Sequence, residues 1–265
     1  MSQLSEPGAR ARLTVAILTL NESKRIASCI RSAHFADEIV VVDSASTDDT
    51  VAIAESMGAQ VHVYGDWQGF AVQRDRLLQH ASGDYIFFLD ADEEFTPELE
   101  AELKEVMASG DRSVRELRWI QVAFGRPLTR MRSSGSVQRL FWRTDIERFD
   151  GVVHEHAVMQ VKRDLRRFKH RLLHYSRESI HGSLLKLAQY AQLGAVKRAK
   201  LGKTGGIWRG FLSAASNFFR LYILQRGFMC GPQGFLYCLF VSLESFFRYV
   251  ALRYDRQQME TLVKR

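Results

Sequence analysis

Two carboxylates one residue apart, Asp90 and Asp92, follow directly on the apolar run Tyr85-Ile86-Phe87-Phe88-Leu89. A short continuous apolar run bounded by polar residues is the pattern of a strand covered on both faces in a parallel sheet. Ligands of open α/β sheets sit at the carboxyl ends of such strands. Two acids so spaced can reach one hard divalent cation, or one can hold a cation while the other takes a ribose hydroxyl. Mg²⁺ held by one or two carboxylates plus substrate phosphates is the usual arrangement for nucleotide chemistry. The same residues also fit a solvated acidic loop before a helix, because Thr96-Pro97-Glu98 is a helix-starting signal. Glu93 and Glu94 read as solvated first-turn acids favoured by the helix dipole.

The elements that must position these acids are marked by hydrophobic period. Residues 13–18 form an apolar strand with the polar turn Thr19-Leu20-Asn21-Glu22-Ser23 after it, and Ile26, Cys29, Ile30 and Ala33 keep helical spacing. Residues 38–43 make a second buried strand ending in Asp43, and residues 44–50 supply turn and N-cap chemistry. A helix over 51–57 stopped by Gly58, a strand over 60–64, a helix over 71–80 and a helix over about 97–107 complete the alternation. Strands alternating with helices predict an α/β fold with a mostly parallel sheet and helices on both faces. Right-handed crossovers put all the strand ends on one edge. Thr19, Asn21, Glu22, Asp43, Asp90 and Asp92 therefore converge there. Neither a Gly-x-Gly-x-x-Gly fingerprint nor a P-loop occurs, which argues against a dinucleotide fold of the usual type and a P-loop enzyme.

A chain of 265 residues is one large domain, or one domain with an appendage. Its three cysteines, Cys29, Cys230 and Cys238, lack metal-like or paired spacing and point to a reducing compartment. The first twelve residues lack the apolar core of a signal peptide. The net charge of +7 hides a division. Residues 1–110 carry 8 Lys and Arg against 19 Asp and Glu, whereas residues 111–265 carry 29 against 11. A basic, aromatic-rich second half suits an anionic membrane surface, a phosphorylated substrate or nucleic acid.

Taken as an ordered set, three segments make the reading specific: Val15-Ala16-Ile17-Leu18-Thr19-Leu20-Asn21-Glu22, Glu38 to Asp48, and Phe88-Leu89-Asp90-Ala91-Asp92-Glu93. They resemble the family 2 glycosyltransferases of GT-A fold. Trp67-x-Gly69-Phe70, Gln73-Arg74, Arg139-Leu140-Phe141-Trp142-Arg143, Val153-His154-Glu155 and Leu172-Leu173-His174-Tyr175 narrow the likeness to the lipopolysaccharide core β-1,4-glucosyltransferase group. Asp75 departs from that group, which usually has Asn after its Gln-basic pair. The resemblance implies a GT-A domain, Rossmann-like with a mostly parallel sheet and flanking helices, followed by C-terminal amphipathic helices. It implies that Asp43 accepts from the uracil N3–H, that Thr19 and Glu22 line base and ribose, and that Asp90 holds the ribose. Asp92 would bind Mg²⁺ or Mn²⁺ on the diphosphate; Asn21 and Gln73 join the donor site. For Asn21 and Glu22, helix capping is the competing role.

Inverting transfer needs a carboxylate to take the acceptor proton. Among Asp145, Glu147, Asp150, Glu155 and Asp164, Glu155 is the choice, at a turn and matching the group's Val-His-Glu; Asp150 is second. His154, His156 and His174 raise a metal question, and His174, ending an apolar strand, is the one chosen to assist Asp92. A satisfied core histidine is the other reading. Arg139 and Arg143 suit planar anion contacts to a diphosphate or an acceptor phosphate.

From Ser179 the texture becomes helical. Residues 207–228 and 235–252 are apolar and aromatic but interrupted by Arg209, Arg220, Glu244 and Arg248, with no 18 uninterrupted apolar residues. Aromatic and basic faces together describe helices lying in a membrane interface; an oligomeric or core helix pair competes. The expected organisation is residues 1–110 as the nucleotide-sugar half, 111–178 as the acceptor and catalytic half, and 179–265 as a membrane-associating extension. The expected activity is metal-dependent transfer of a sugar, glucose by resemblance, from a UDP-sugar to a glycolipid such as lipopolysaccharide inner core. It would act at the cytoplasmic face of the inner membrane as a peripheral or monotopic protein, without nucleic acid. The alternatives are an undecaprenyl-linked acceptor, or a non-catalytic nucleotide- or nucleic-acid-binding module.

Overall fold

Strands apolar at consecutive positions must be covered on both sides, and such strands form the middle of a seven-stranded sheet. The computed structural model describes residues 10–132, 135–151 and 156–255. Strands β1 (Leu13–Thr19), β2 (Glu38–Asp43), β3 (Gln60–Val63) and β4 (Tyr85–Asp90) run parallel in the order β4-β1-β2-β3. Helices α1 (Ile26–Ser32), α2 (Thr50–Ser56) and α3 (Phe70–His80) make the crossovers. After β4 come the short β5 (Glu93–Glu94), α4 (Pro97–Ala108), β6 (Val114–Leu117), β7 (Trp119–Ala123), β8 (Arg126–Pro127) and β9 (Val137–Trp142). The strands β10 (Ile146–Asp150), β11 (His156–Met159), β12 (Leu165–Arg167) and β13 (Leu172–Arg177) follow. The sheet is completed as β12-β6-β9-β4, with β9 antiparallel to both β4 and β6.

Side-chain alternation along β4 explains its two-sided cover. Tyr85, Phe87 and Leu89 pack with Ile26 and Ile30 of α1 and Leu99 and Leu103 of α4. Ile86 and Phe88 pack on the other face with Leu77 of α3 and with Ile146 and Phe149 of β10. Each such large side chain contributes about 1.5–3 kcal/mol by leaving water. The parallel register then fixes the functional edge: Asp43 lies beside Thr19, and Asp90 beside Leu18, so both acids end strands flanking β1 on the same rim.

Two sequence expectations are corrected here. Alternation over residues 116–122 predicts a single strand, but that strand is broken at Arg118: Leu117 stays in the large sheet opposite Val137, while Trp119 begins β7 and turns its indole to Glu93. Glu93 is not a solvated helix acid. It is 1% exposed, in β5, antiparallel to β13, where it lies opposite His174.

By contact, the chain forms two units, Met1–Trp119 with Gly135–His174, and Ile120–Ser134 with Tyr175–Arg265. In the second, β7 and β8 form a hairpin turning at Phe124 and Gly125, both at positive φ. Helix α7 (Gly231–Tyr254) packs along α5 (Ile180–Lys200) and α6 (Ile207–Phe219). Gly210 permits this closeness, since a Cβ there would lie 2.8 Å from the Phe246 carbonyl oxygen. The apolar stretch expected from 207 to 228 is interrupted by a wide turn at Arg220–Leu224 and by Arg226 at φ 62°. Glu244, inside α7, is buried against Arg177. Residues Gly227–Tyr254 are nonetheless long and apolar enough to cross a membrane.

At the start of β4, Gly83 lets the chain pass close to β1. A Cβ there would lie 2.7 Å from the Thr14 nitrogen and 3.0 Å from the Arg12 oxygen, both backbone atoms that cannot swing aside. Gly83→Ala is expected to destabilise the protein by about 1–3 kcal/mol, read as a lower urea midpoint; an unchanged midpoint would show that β1 and β4 can separate without cost.

Candidate functional site

The rim is built from the turns after β1, β2 and β4, and hydroxyls stitch the first two together. The Asn21 N–H donates to Ser46 Oγ at 2.7 Å, and Ser46 Oγ–H donates to Asp43 Oδ2 at 2.5 Å. Asp43 Oδ1 accepts from the Ser46 N–H at 2.7 Å. Asn21 Oδ1 accepts from the Thr47 N–H, and the Glu22 N–H donates to Thr50 Oγ1, which donates to Asp48. That Thr50 bond holds the Asp48 carboxyl down at about 2. Asn21 and Ala45 adopt left-handed backbone, φ 54° and 66°, rare for residues with a side chain. Asp43 is fully buried and each oxygen retains acceptor capacity beyond its one bond. Thr19 Oγ1 is buried without a hydrogen-bond partner among the described residues.

Gln73, fully buried on α3, donates to Ser44 Oγ at 2.9 Å and accepts from Arg76, which pairs with Asp66. Asp75, the position where the sequence departs from the group it resembles, accepts from the Phe149 N–H at 2.7 Å and so ties α3 to β10.

The acid turn after β4 is organised by Arg139, 2% exposed on β9. Its Nη2 donates to Asp90 Oδ2 at 2.6 Å and to Glu93 Oε1 at 2.7 Å. Glu93 also accepts from Trp119 Nε1 at 2.6 Å and, through Oε2, from the Asp90 N–H at 3.0 Å. Arg74 approaches Asp90 Oδ1 at 3.3 Å and lies over the Phe88 ring. Burial opposes ionisation of Asp90, but Arg139 and then Arg74 outweigh it and hold the carboxyl far below the usual range. Glu93 is pushed upward by burial and by the charge of Asp90, against the pull of Arg139. Arg139 Nε and Nη1 are buried without partners among the described residues.

Asp92 stands at the open side of this turn. Pairing of β5 with β13 brings His174 to it, with Nε2 3.4 Å from Asp92 Oδ2. Burial disfavours the charged imidazole, but the Asp92 bond and the charges of Asp92, Glu93 and Asp90 raise its pKa. The side chains of Asp92 and His174 are 27% and 28% exposed. His174 Nδ1 is buried without a hydrogen-bond partner among the described residues. Among the described residues no three His, Cys, Asp or Glu side chains form a complete metal cage. A carboxylate and an imidazole side by side and open to solvent fit a divalent cation that draws its other ligands from a substrate and water.

The structure thus brings Thr19, Asn21, Glu22, Asp43, Gln73, Asp90, Asp92, Arg139 and His174 to the strand ends of one unit. Glu155, with Val153 and His154, lies outside the described residues; Asp150 ends β10, exposed, and accepts from the Gly151 N–H. Sequence reasoning missed Glu93, Trp119 and Ser46 as organisers, because nothing at their spacing marks them.

Residues 14–153 match glycosyl transferase family 2. An uncharacterised glycosyltransferase of Rickettsia conorii is 28% identical over 260 residues, covering 91% of this chain and 90% of the relative. The lipopolysaccharide core biosynthesis glycosyltransferase LpsC of Rhizobium meliloti is 28% identical, covering 84% and 85%. Among solved structures, glucosyl-3-phosphoglycerate synthase of Mycobacterium tuberculosis with Mn²⁺, UDP and phosphoglyceric acid is 27% identical, with TM-score 0.36 over 42% of this chain and 43% of that one.

Removing Arg139 would leave Glu93 buried and uncompensated. Arg139→Ala is expected to cost about 3–5 kcal/mol, and Glu93→Gln, which keeps the shape and an acceptor oxygen, roughly 1–3 kcal/mol. Urea unfolding measures both; equal and small losses would mean that this guanidinium does not hold the turn.

Proposed function

The chain belongs to glycosyl transferase family 2, and from that premise we propose that it is an inverting, metal-dependent hexosyltransferase using a UDP-sugar donor and a glycolipid acceptor. The observation that carries this reading is the meeting of Asp43, the orphan Thr19 hydroxyl and the open Asp92–His174 pair at the carboxyl ends of β1, β2 and β4. Asp43 has acceptor capacity for a uracil N3–H, and Thr19 and Glu22 line the base and ribose. Asp90, locked ionised by Arg139 and Arg74, takes a ribose hydroxyl. Asp92 and His174 would hold Mg²⁺ or Mn²⁺, which when bound supplies charge neutralisation for the departing diphosphate.

The chain's own groups orient and deprotonate. Glu155 takes the acceptor hydroxyl proton, the oxygen bonds to the anomeric carbon, and the bond from that carbon to the diphosphate breaks with release of UDP. Asp150 is the alternative base. Glucose is the sugar favoured by resemblance, and the likeness to LpsC supports a lipopolysaccharide core acceptor over an undecaprenyl-linked one.

Membrane contact belongs to the second unit. Helix α6 exposes Trp208 at 79%, with Phe211, Leu212 and Phe219, among basic residues. Glu244 is satisfied inside the unit by Arg177, which favours peripheral or monotopic attachment, at the cytoplasmic face of the inner membrane, over a lone spanning helix.

Thermal shift with UDP-glucose, UDP-galactose and UDP-N-acetylglucosamine, each with Mg²⁺ and Mn²⁺, is expected to show metal-dependent stabilisation that Asp92→Ala abolishes. No stabilisation of wild type by any UDP-sugar would refute the donor assignment. Glu155→Gln is expected to keep UDP binding and lose transfer by about 10²–10⁴-fold; full activity in that variant transfers the role to Asp150.

A further inference from the structure

We propose that the corner where α5 ends, α6 begins and α7 passes is a binding site for the phosphate headgroup of an anionic glycerophospholipid. This rests on the membrane attachment proposed above and names the lipid chemistry it recognises. A cavity of about 660 Å³ lies there, lined by Lys203, Thr204, Arg209, Leu212, Ser213 and Tyr249. Two cations, two hydroxyls and a phenol around one hollow are the donors that a phosphate diester needs.

The backbone fixes these groups. The Gly206 N–H donates to the Tyr249 carbonyl at 2.9 Å, and the Lys203 N–H donates to the Arg198 carbonyl at 3.0 Å. Arg209 donates through Nη1 to the Thr204 carbonyl at 3.1 Å and to Thr204 Oγ1; among the described residues its Nε and Nη2 make no hydrogen bond.

Positive charge prevails around the cavity. Residues 175–255 carry 11 Lys and Arg against 3 Asp and Glu, and one of those acids, Glu244, is bound to Arg177. Behind Tyr249, Arg198 lies 5.1 Å over the ring, and among the described residues the Nε atoms of Arg198 and Arg248 are buried without hydrogen-bond partners. A bond from Arg198, and its charge with those of Lys203 and Arg248, pull the Tyr249 hydroxyl below its ordinary value. Burial and the like charge of Arg198 lower Arg248.

The apolar surroundings select a lipid. Leu212, a wall of the cavity, is 67% exposed, and Ile207, Trp208 and Phe211 on the same helix are 51%, 79% and 58% exposed. A water-soluble phosphate gains nothing from such neighbours. A headgroup in the hollow would lay its acyl chains along them, as at a membrane interface where basic and aromatic side chains act together.

Co-sedimentation of the full chain with phosphatidylcholine vesicles, with and without phosphatidylglycerol, tests the site. Wild type is expected to prefer the phosphatidylglycerol vesicles. Lys203→Ala/Arg209→Ala is expected to bind them about ten-fold or more weakly while keeping its UDP-induced thermal shift. Lys197→Ala/Lys200→Ala removes equal charge from exposed positions of α5 outside the cavity lining and is expected to lose about three-fold or less. Equal losses in the two double variants would mean a diffuse basic field and overturn the headgroup site. Wild type that binds no vesicle would overturn membrane attachment itself. Thermal stabilisation by inorganic phosphate without preference among vesicles would make the cavity a soluble-anion site and overturn the lipid assignment.

Discussion

One buried guanidinium keeps the acid turn in shape. Arg139 reaches from β9 across the end of β4 to bridge Asp90 and Glu93, and Glu93 in turn takes the Trp119 indole and the Asp90 amide. Three segments far apart along the chain therefore meet on one carboxylate. A charge so buried is tolerable only because its partners are in contact. Asp92 and His174 sit on either flank of this knot, on the residue before Glu93 and on the strand position opposite it. Their mutual placement follows from the knot rather than from their own bond.

The other side of the rim is held differently. Between the turns after β1 and β2, neutral hydroxyls and amides carry the load: Asn21 to Ser46, Ser46 to Asp43, Thr47 to Asn21. Two left-handed residues bend these turns tightly enough for the contacts to form. A ligand crossing the rim would meet a rigid cationic brace at one end and hydrogen-bonded turns at the other. That division suits a molecule whose base wants directional hydrogen bonds and whose phosphates want charge.

Much of this was legible in the sequence where one local rule decided the matter. Tyr85 to Leu89 had to be a strand buried on both faces, and the same held for Ile39 to Val42; acids following such strands must share an edge if the strands are parallel. Glu93 was misread because the residues that bury it, Trp119 and Arg139, lie 26 and 46 positions away, and no periodicity reports contacts at that range. The break at Arg118 was hidden because alternation continues through it while the strand changes sheets. In the helical unit, counting uninterrupted apolar residues discounted Gly227–Tyr254, since Glu244 and Arg248 lie within it. What the count could not report was the partner of Glu244, Arg177, 67 positions earlier in the chain, which keeps that acid inside the unit.

Gly210 carries a consequence of its own. With no side chain there, the α6 backbone comes close to that of α7 at Phe246, and a turn of α6 about its axis would bring a side chain into that contact. The azimuth of every other α6 residue is thereby set, so Trp208, Phe211 and Leu212 project as one fixed keel rather than as independent oars.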